Sequence, residues 1–236
     1  MFDRVLELNF SKRLISNAVK FDASVKEYKT NPFSEVKDGM VLCEIGVGIG
    51  VNLKYFPSDI TYFGLEPNSL FHDLINREKK RVGLKNAEIF KSEAENIPLD
   101  DNSVDFVVST FTFCSVKNQG KVFNEISRVL KPEGRLLFFE HIVSDSYLLR
   151  AVQYIMRPFS KILASNCDPT QDLLTIISKN GFKIIKIRYL NFKKSFFLNP
   201  NILGVAIKAR TFLEQKQWRS LLGASLNLYC QLQTIN

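Results

Sequence analysis

The residues whose types and spacing could do chemistry stand where apolar runs end. The first run begins at Val41 and ends in an acid, Glu44, followed by the alternating glycines Gly46, Gly48 and Gly50. A near-continuous apolar run is typical of a buried parallel strand, and glycines let the backbone turn tightly where side chains would block a ligand. We expect the Glu44 carboxylate to hang over this turn, where it favours a ligand with amine or amide donors over a pyrophosphate.

The spacing of the glycines separates this turn from a common nucleotide-binding pattern. The dinucleotide fingerprint has its third glycine three residues after the second, and this chain has Val51 at that position. A nicotinamide oxidoreductase is therefore disfavoured. The segment 51–56, which includes Asn52, is predicted to begin a helix that points its first amides at the ligand, and Pro57 is predicted to stop it.

Acids also follow the next two β-rich runs. Glu66 closes the second run and precedes Pro67 and Asn68, whereas Glu93 and Ala94 follow the third. A carboxylate at the end of the second parallel strand can accept hydrogen bonds from both hydroxyls of a ribose. The Glu93 carboxylate and the Ala94 backbone amide could bind the amino group and a ring nitrogen of adenine. An acidic surface loop is the alternative interpretation of the third segment.

Further polar and aromatic candidates stand at the ends of the fourth and fifth runs. Thr110 and Phe111 end the fourth, and Glu140 and His141 end the fifth. Open α/β sheets bind ligands at the carboxyl ends of their parallel strands. These residues are therefore expected at the same edge of the sheet as the glycine turn.

The elements that must position these residues alternate along the chain. Predicted strands cover 41–45, 60–66, 87–91, 104–110, 135–141, 182–190 and 201–208, and predicted helices cover 68–82, 117–130, 147–164 and 170–180. Five βα units followed by two strands at a hairpin-like separation indicate an α/β fold. We predict a doubly wound, seven-stranded, mostly parallel sheet with one antiparallel strand and helices on both faces.

Amphipathic segments flank this sheet. Residues 1–29 are predicted to form one or two helices that cover the core or close a ligand cleft, with a membrane-surface role as the alternative. The segment 147–164, with an aromatic rim of Phe111, Phe113 and Phe159, suggests a lid over an apolar ligand. Its basic residues are expected to allow transient docking to an anionic membrane: Arg150, Arg157 and Lys161. We predict one domain over 1–208 and a helical extension over 209–236.

Composition narrows the functional classes. The chain has 236 residues, of which 45% are hydrophobic and 24% charged, and its formal net charge is +8. The basic residues are mostly spread and no nucleic-acid-binding motif accompanies them, so we predict no specific nucleic-acid partner. The four cysteines lack metal-ligand spacing, which predicts no metal site and a reduced, intracellular protein. With no signal peptide or membrane-spanning run in the sequence, we expect a cytoplasmic protein.

Taken together, these motifs resemble those of class I S-adenosylmethionine-dependent methyltransferases. Four of them carry the resemblance: Glu44-x-Gly46-x-Gly48-x-Gly50, Glu66-Pro67-Asn68, Glu93-Ala94-Glu95 and Leu130-Lys131-Pro132-x-Gly134. Within that superfamily the chain is similar to the methyltransferase-like protein 7 family, described as alkyl thiol methyltransferases, on Cys114-Ser115-Val116-Lys117-Asn118-Gln119, Phe139-Glu140-His141 and Asn166-Cys167-x-x-Thr170. The resemblance implies a Rossmann-like fold and S-adenosylmethionine as cofactor. Its implied contacts are Glu44, Gly46, Gly48, Gly50, Glu66, Glu93 and Ala94, with Thr110 and Phe111 at the methionine end.

The same resemblance implies a small, hydrophobic acceptor, with a thiol as one candidate. A thiol must ionise before it accepts a methyl group, and His141 is the candidate base, although a hydrogen-bonded packing role is the alternative. Candidates for the acceptor pocket are Phe113, Cys114, Glu140 and Cys167, where buried structural thiols are the alternative for the cysteines. The other functions left open are a quinone- or lipid-precursor C- or O-methyltransferase and a non-catalytic cofactor-binding module.

Overall fold

The structure is a computed structural model that describes residues 2–164, 166–192 and 196–209. Its strands are β1 Val41–Ile45, β2 Thr61–Leu65, β3 Asn86–Phe90, β4 Val104–Thr110, β5 Leu130–His141, β6 Phe182–Leu190 and β7 Asn201–Lys208. Its helices are α1 Phe2–Phe33, α2 His72–Val82, α3 Gln119–Val129, α4 Tyr147–Leu163 and α5 Leu173–Lys179. The extension predicted over 209–236 lies outside the described residues from residue 210 onward.

The seven strands form one sheet in the order β3-β2-β1-β4-β5-β7-β6. Strands β1 to β5 pair in parallel, and β7 runs antiparallel to both of its neighbours. The strand order reverses between β1 and β4, which is the switch point where open α/β sheets bind ligands. The predicted mostly parallel sheet with one antiparallel strand is confirmed.

Strand register aligns the ends of the strands at this switch point. Ile45 of β1 pairs with Leu65 of β2 and with Ser109 of β4, and Thr110 pairs with Phe139 of β5. The residues that follow each strand therefore come out at one edge. The acids and glycines that the sequence places after separate apolar runs meet there.

Helices cover both faces of the sheet because successive strand residues point to opposite sides. On one face, residues such as Cys43 and Phe138 pack with Val122 of α3 and Leu174 of α5. On the other face, residues such as Leu42, Val108 and Phe139 pack with Val25 of α1 and Ile75 of α2. None of the helices in the described part of the chain has both the length and the apolar character needed to cross a bilayer.

Several predicted elements differ in the structure, among them the segment after the glycine turn, strand β5 and helix α5. The segment 51–56 forms only a 3-10 turn at Leu53–Tyr55, because the Phe56 amide bonds back to Leu53 and Pro57 follows at once. Strand β5 begins at residue 130 instead of 135. Helix α5 begins at residue 173 instead of 170, since Asp172 caps it by accepting a hydrogen bond from the Thr175 amide.

Candidate functional site

The glycine turn after β1 depends on backbone conformations that favour glycine. Gly46, Gly48 and Gly50 have φ angles of +70°, +58° and +81°. A Cβ atom at Gly46 would lie 2.1 Å from Oγ1 of Thr112 in the loop after β4. The turn can therefore approach that loop only with a bare α-carbon at Gly46, and the two loops together form one floor.

Glu66 locks this turn to the end of β2. Its Oε2 accepts a hydrogen bond from the Gly48 amide and its Oε1 accepts one from the Asn68 amide, both at 2.8 Å. The carboxyl is buried, and burial raises its pKa above the ordinary value. Each oxygen still has a lone pair beyond the one that its amide uses, so this carboxylate can accept hydrogen bonds from a ligand.

A cavity of about 410 Å³ opens above these loops. Its wall comes from the loops after β1, β2, β3 and β4 and from helix α1. The predicted residues in the lining are Gly46, Gly48, Asn52, Glu66, Pro67, Asn68, Glu93, Ala94, Thr110 and Phe111. Gly50 shapes the turn without lining the cavity, because its α-carbon faces Leu53 and Glu78.

Glu44 does not hang over the glycine turn as the sequence predicts. It is fully buried below the cavity, where its Oε1 accepts a hydrogen bond from Asn52 Nδ2 at 2.6 Å and its Oε2 accepts one from the Tyr62 hydroxyl at 2.5 Å. Burial raises the pKa of Glu44 to about 7, against the opposing effect of these hydrogen bonds and of the Lys29 charge. The acid therefore orients Asn52, which does line the cavity.

Helix α1 supplies two functional residues that the sequence interpretation missed. Lys29 Nζ donates to Asp22 Oδ1 at 2.7 Å and to Asn52 Oδ1 at 2.8 Å, and both charged residues line the cavity while almost fully buried. Burial lowers the pKa of Lys29, and the Asp22 charge opposes that effect. The network runs from α1 through Asn52 to Glu44. A signal was available in the sequence: Asp22 and Lys29 have opposite charges and lie seven residues apart, which places them on the same face of a helix.

The α1 helix also provides an apolar wall. Ala18 and Phe21 line the cavity, and the Phe21 ring meets the Phe111 ring edge to face with centroids 5.2 Å apart. Phe111 has φ +53°, a conformation that costs energy for a bulky residue and is concentrated at functional sites. Its amide donates to the Phe139 carbonyl, which holds the ring at the cavity. Helix α1 therefore forms one wall of the cavity, and the expectation that the cavity binds a ligand stays a prediction.

The loop after β3 forms the opposite rim of the cavity. Ala94 is nearly buried there, whereas the Glu93 carboxylate is half exposed and pairs with Lys117 across the cavity mouth. Glu95 accepts hydrogen bonds from the backbone amides of Lys117 and Asn118. These contacts join the loop after β3 to the loop after β4.

The five residues predicted for catalysis and the acceptor pocket do not line this cavity. Phe113 stacks on Phe123 in the core, and Glu140 Oε1 accepts hydrogen bonds from the Ser109 hydroxyl and from two amides of the loop after β4. His141 Nε2 lies 3.2 Å from Cys167 Sγ, and Cys114 completes this buried group. Burial raises the pKa of Glu140. The interpretation of these residues as a pocket is therefore wrong for the cavity described here.

The predicted lid is also displaced. Helix α4 contributes no residue to the cavity, and Phe159 is exposed on its outer face. Arg157 and Lys161 both pair with Asp168, which reduces the positive charge that the sequence places on this helix. Helix α1 takes the place that the prediction gave to α4.

Comparison with known proteins identifies the chain. A family model described as a methyltransferase domain matches residues 43–138. Thiol S-methyltransferase TMT1A of Homo sapiens is 28% identical over 205 residues, covering 83% of this chain and 84% of that protein. Thiol S-methyltransferase TMT1B of Rattus norvegicus is 30% identical over 191 residues, covering 76% of this chain and 78% of that protein. The chain belongs to the methyltransferase-like protein 7 family. It is an S-adenosylmethionine-dependent methyltransferase.

Solved structures place this family member in the expected fold. A SAM-dependent methyltransferase from Aquifex aeolicus superposes with a TM-score of 0.56 at 22% identity, covering 77% of this chain and 88% of that chain. Geranyl diphosphate C-methyltransferase from Streptomyces coelicolor, solved with S-adenosyl-L-homocysteine, gives 0.63 at 14% identity, covering 84% of this chain and 83% of that chain. These likenesses show the Rossmann-like fold of class I methyltransferases.

Proposed function

We propose that this methyltransferase transfers the methyl group of S-adenosylmethionine to the sulfur of a small, hydrophobic thiol. The observation that carries the proposal is one cavity that joins the glycine turn to an apolar wall of Ala18, Phe21 and Phe111, with the ammonium of Lys29 buried beside them. Apolar walls select a hydrophobic acceptor, and a buried cation favours an anion such as a thiolate. Two relatives, both named as thiol S-methyltransferases, support the same acceptor class.

The cofactor half of the cavity fits S-adenosylmethionine. Glu66 has acceptor capacity for ribose hydroxyls, and the bare α-carbons of Gly46 and Gly48 leave room for a ligand against the backbone. Ala94 and Glu93 stand at the rim where adenine is expected. The remaining proposed contacts are Asn52, Pro67, Asn68, Thr110 and Phe111, while Glu44 and Gly50 act by shaping the turn.

In this proposal, the residues of the chain align the reactants and exclude water. The bound cofactor supplies an electrophilic methyl group, so the protein needs few catalytic side chains. Phe21 and Phe111 shield the acceptor sulfur from solvent. Lys29 uses two of its three donors on Asp22 and Asn52, and no acceptor for the third is found among the described residues. That donor can stabilise an acceptor that enters the cavity as a thiolate, its proton already released to water. His141 lies outside the cavity and has no part in this step.

A transfer screen tests the acceptor. Purified protein and labelled S-adenosylmethionine are incubated with small alkyl thiols, with matched alcohols, and with quinone and lipid precursors. We expect transfer to the thiols and none to the matched alcohols. Phe111→Ala should raise the KM for hydrophobic thiols, while Tyr147→Ala on the exposed face of α4 should leave it unchanged. Transfer only to a ring carbon or to oxygen would refute the thiol proposal, and cofactor binding without transfer to any acceptor would indicate a binding module.

We also propose that the protein binds the surface of a membrane through α4. Large apolar side chains form a stripe along the exposed face of this helix: Tyr147, Leu148, Tyr154, Ile155, Phe159 and Ile162. Gln153 and Ser160, on the opposite face, are buried against the domain. A helix with one polar or buried side and one apolar exposed side lies in the membrane interface, where tyrosines sit at the headgroup level.

Vesicle flotation tests this surface. Because Arg157 and Lys161 are paired with Asp168, we expect binding to neutral phosphatidylcholine vesicles, with only a modest gain from anionic lipid. The variant Leu148→Asp/Ile155→Asp should lose binding, while Lys20→Asp, at an exposed position of α1, should keep it. Failure of the wild-type protein to float with either lipid would refute the proposal.

A further inference from the structure

Three side chains that commonly bind metals meet in the core although the sequence separates them. Cys114 follows β4, His141 ends β5 and Cys167 follows α4. One ligand atom of each lies within 4.8 Å of the others, and His141 Nε2 is 3.2 Å from Cys167 Sγ. All three residues are buried, with exposed fractions of 5%, 3% and 8%. We call them the Cys-His-Cys cluster.

The spacing of the cluster matches the edges of a tetrahedral zinc site. With Zn–S bonds of about 2.3 Å and Zn–N bonds of about 2.0 Å, tetrahedral ligands lie about 3.5 Å apart for N and S and about 3.8 Å apart for S and S. His141 Nε2 and Cys167 Sγ are slightly closer than this, at 3.2 Å, and every pair of ligand atoms lies within 4.8 Å. Side-chain shifts of up to about 1 Å would therefore accommodate the ion.

The chemistry of the cluster selects a soft divalent cation. Two thiolates and a neutral imidazole would balance the charge of Zn²⁺, which allows such an ion to be buried. Sulfur and imidazole ligands favour zinc over magnesium or calcium. Both cysteines are free thiols, and the other imidazole nitrogen of His141, Nδ1, is buried without a hydrogen-bond partner among the described residues.

We propose that Cys114, His141 and Cys167 bind one Zn²⁺ ion. The site would tie together the loop after β4, the end of β5 and the connection from α4 to α5. That loop carries both Phe111 and Ser115 into the cavity lining, and the Cys114 carbonyl already accepts a hydrogen bond from the Asp168 amide at 2.9 Å. None of the three ligands lines the cavity, so the ion positions one wall of the site without touching the acceptor.

Metal analysis of the untagged protein tests this site. We expect about one zinc per chain by elemental mass spectrometry. The variants Cys114→Ser, Cys167→Ser and His141→Gln should each lower that content tenfold or more. Cys43→Ser removes a buried thiol outside the cluster and should leave the zinc content unchanged. Full zinc content in all three cluster variants would place any bound ion elsewhere and overturn the proposal.

A cobalt titration of the wild-type protein keeps the test independent of whether the variants fold. After chelation and removal of bound metal, added Co²⁺ should give thiolate-to-cobalt charge-transfer absorption and the visible bands of tetrahedral coordination, and Zn²⁺ should displace both. Absence of these bands in a protein whose thiols are reduced would overturn the proposal. So would a Cys114–Cys167 disulfide found by peptide mapping of protein purified without reductant.

Discussion

The pKa of Glu44 gives a quantitative prediction about the network beneath the cofactor turn. Glu44 is fully buried and burial raises its pKa to about 7, against an ordinary value of 4.5. The folded protein therefore holds this proton more tightly than the unfolded chain, so the group stabilises the fold at low pH. That contribution is lost as the pH rises from about 4.5 through about 7. Linkage gives a loss of about 2–3 kcal/mol between pH 5 and pH 8 from this carboxyl.

Substitution by glutamine removes this titration. In Glu44→Gln, the side-chain oxygen can still accept from Asn52, while the new amide faces the Tyr62 hydroxyl, which must turn. Any cost of that rearrangement is the same at both pH values. The free energy of unfolding should therefore fall by about 2–3 kcal/mol less in the variant than in the wild type between pH 5 and pH 8.

Urea denaturation at the two pH values measures this difference. Glu78→Gln is the control, because its hydrogen bond with Arg81 lowers the pKa of Glu78 and predicts a pH effect of opposite sign. A buried carboxyl that is not coupled to Glu44, such as Glu140, contributes equally to wild type and variant, so its effect cancels. An equal pH dependence in wild type and Glu44→Gln would refute the reasoning. It would mean that Lys29 and the hydrogen bonds keep Glu44 ionised throughout.

Three further predictions concern the turn and its network. Gly46→Ala should weaken cofactor binding at least tenfold by calorimetry and lower the Tm, because the new Cβ would clash with Thr112. The control Gly83→Ala has a similar φ but open space around it, so its free energy of unfolding should fall by only about 1 kcal/mol. Equal effects of the two substitutions would contradict this explanation. The glutamine of Glu66→Gln can accept a hydrogen bond from only one of the two backbone amides, so cofactor affinity should fall about tenfold while the circular dichroism spectrum is retained. Unchanged affinity would contradict this role of Glu66. Lys29→Met should lower the free energy of unfolding by about 3–5 kcal/mol in urea denaturation, because it leaves Asp22 buried without its partner. The double variant Lys29→Met/Asp22→Asn should lose less than the sum of the two single variants, and strict additivity would argue against the buried pair.

Most of the sheet could be predicted from the sequence because strand signals are local. Strands β4, β6 and β7 have the predicted bounds, and every predicted strand is present. An apolar run of strand length that ends in glycine, proline or an acid can be recognised from neighbouring residues alone. The position of Glu66 at the ligand-binding edge of the sheet followed from the same pattern, because parallel strands end at one edge.

Predictions about what each side chain contacts were less successful. Glu44 was expected over the turn, yet it lies beneath it, because the side chain of a strand residue points to a sheet face rather than beyond the strand end. Phe113 and Glu140 were expected in the acceptor pocket, yet both are buried in the core. Their positions in the sequence correctly placed these residues at the ligand-binding edge of the sheet, but they did not show whether each side chain faces the cavity or the core.

By itself, then, the sequence determined the α/β fold, the edge of the sheet that carries the cofactor loops, and the identity of the cofactor as S-adenosylmethionine. Only the tertiary structure decided which element closes the cavity and which distant residues meet. Lys29 reaches Asn52 across 23 residues of chain, and Cys167 reaches His141 across 26. No local pattern encodes such a contact, because it depends on how α1 and α4 pack on the finished sheet. The Cys-His-Cys cluster exists only because two loops and the end of β5 come together at that point.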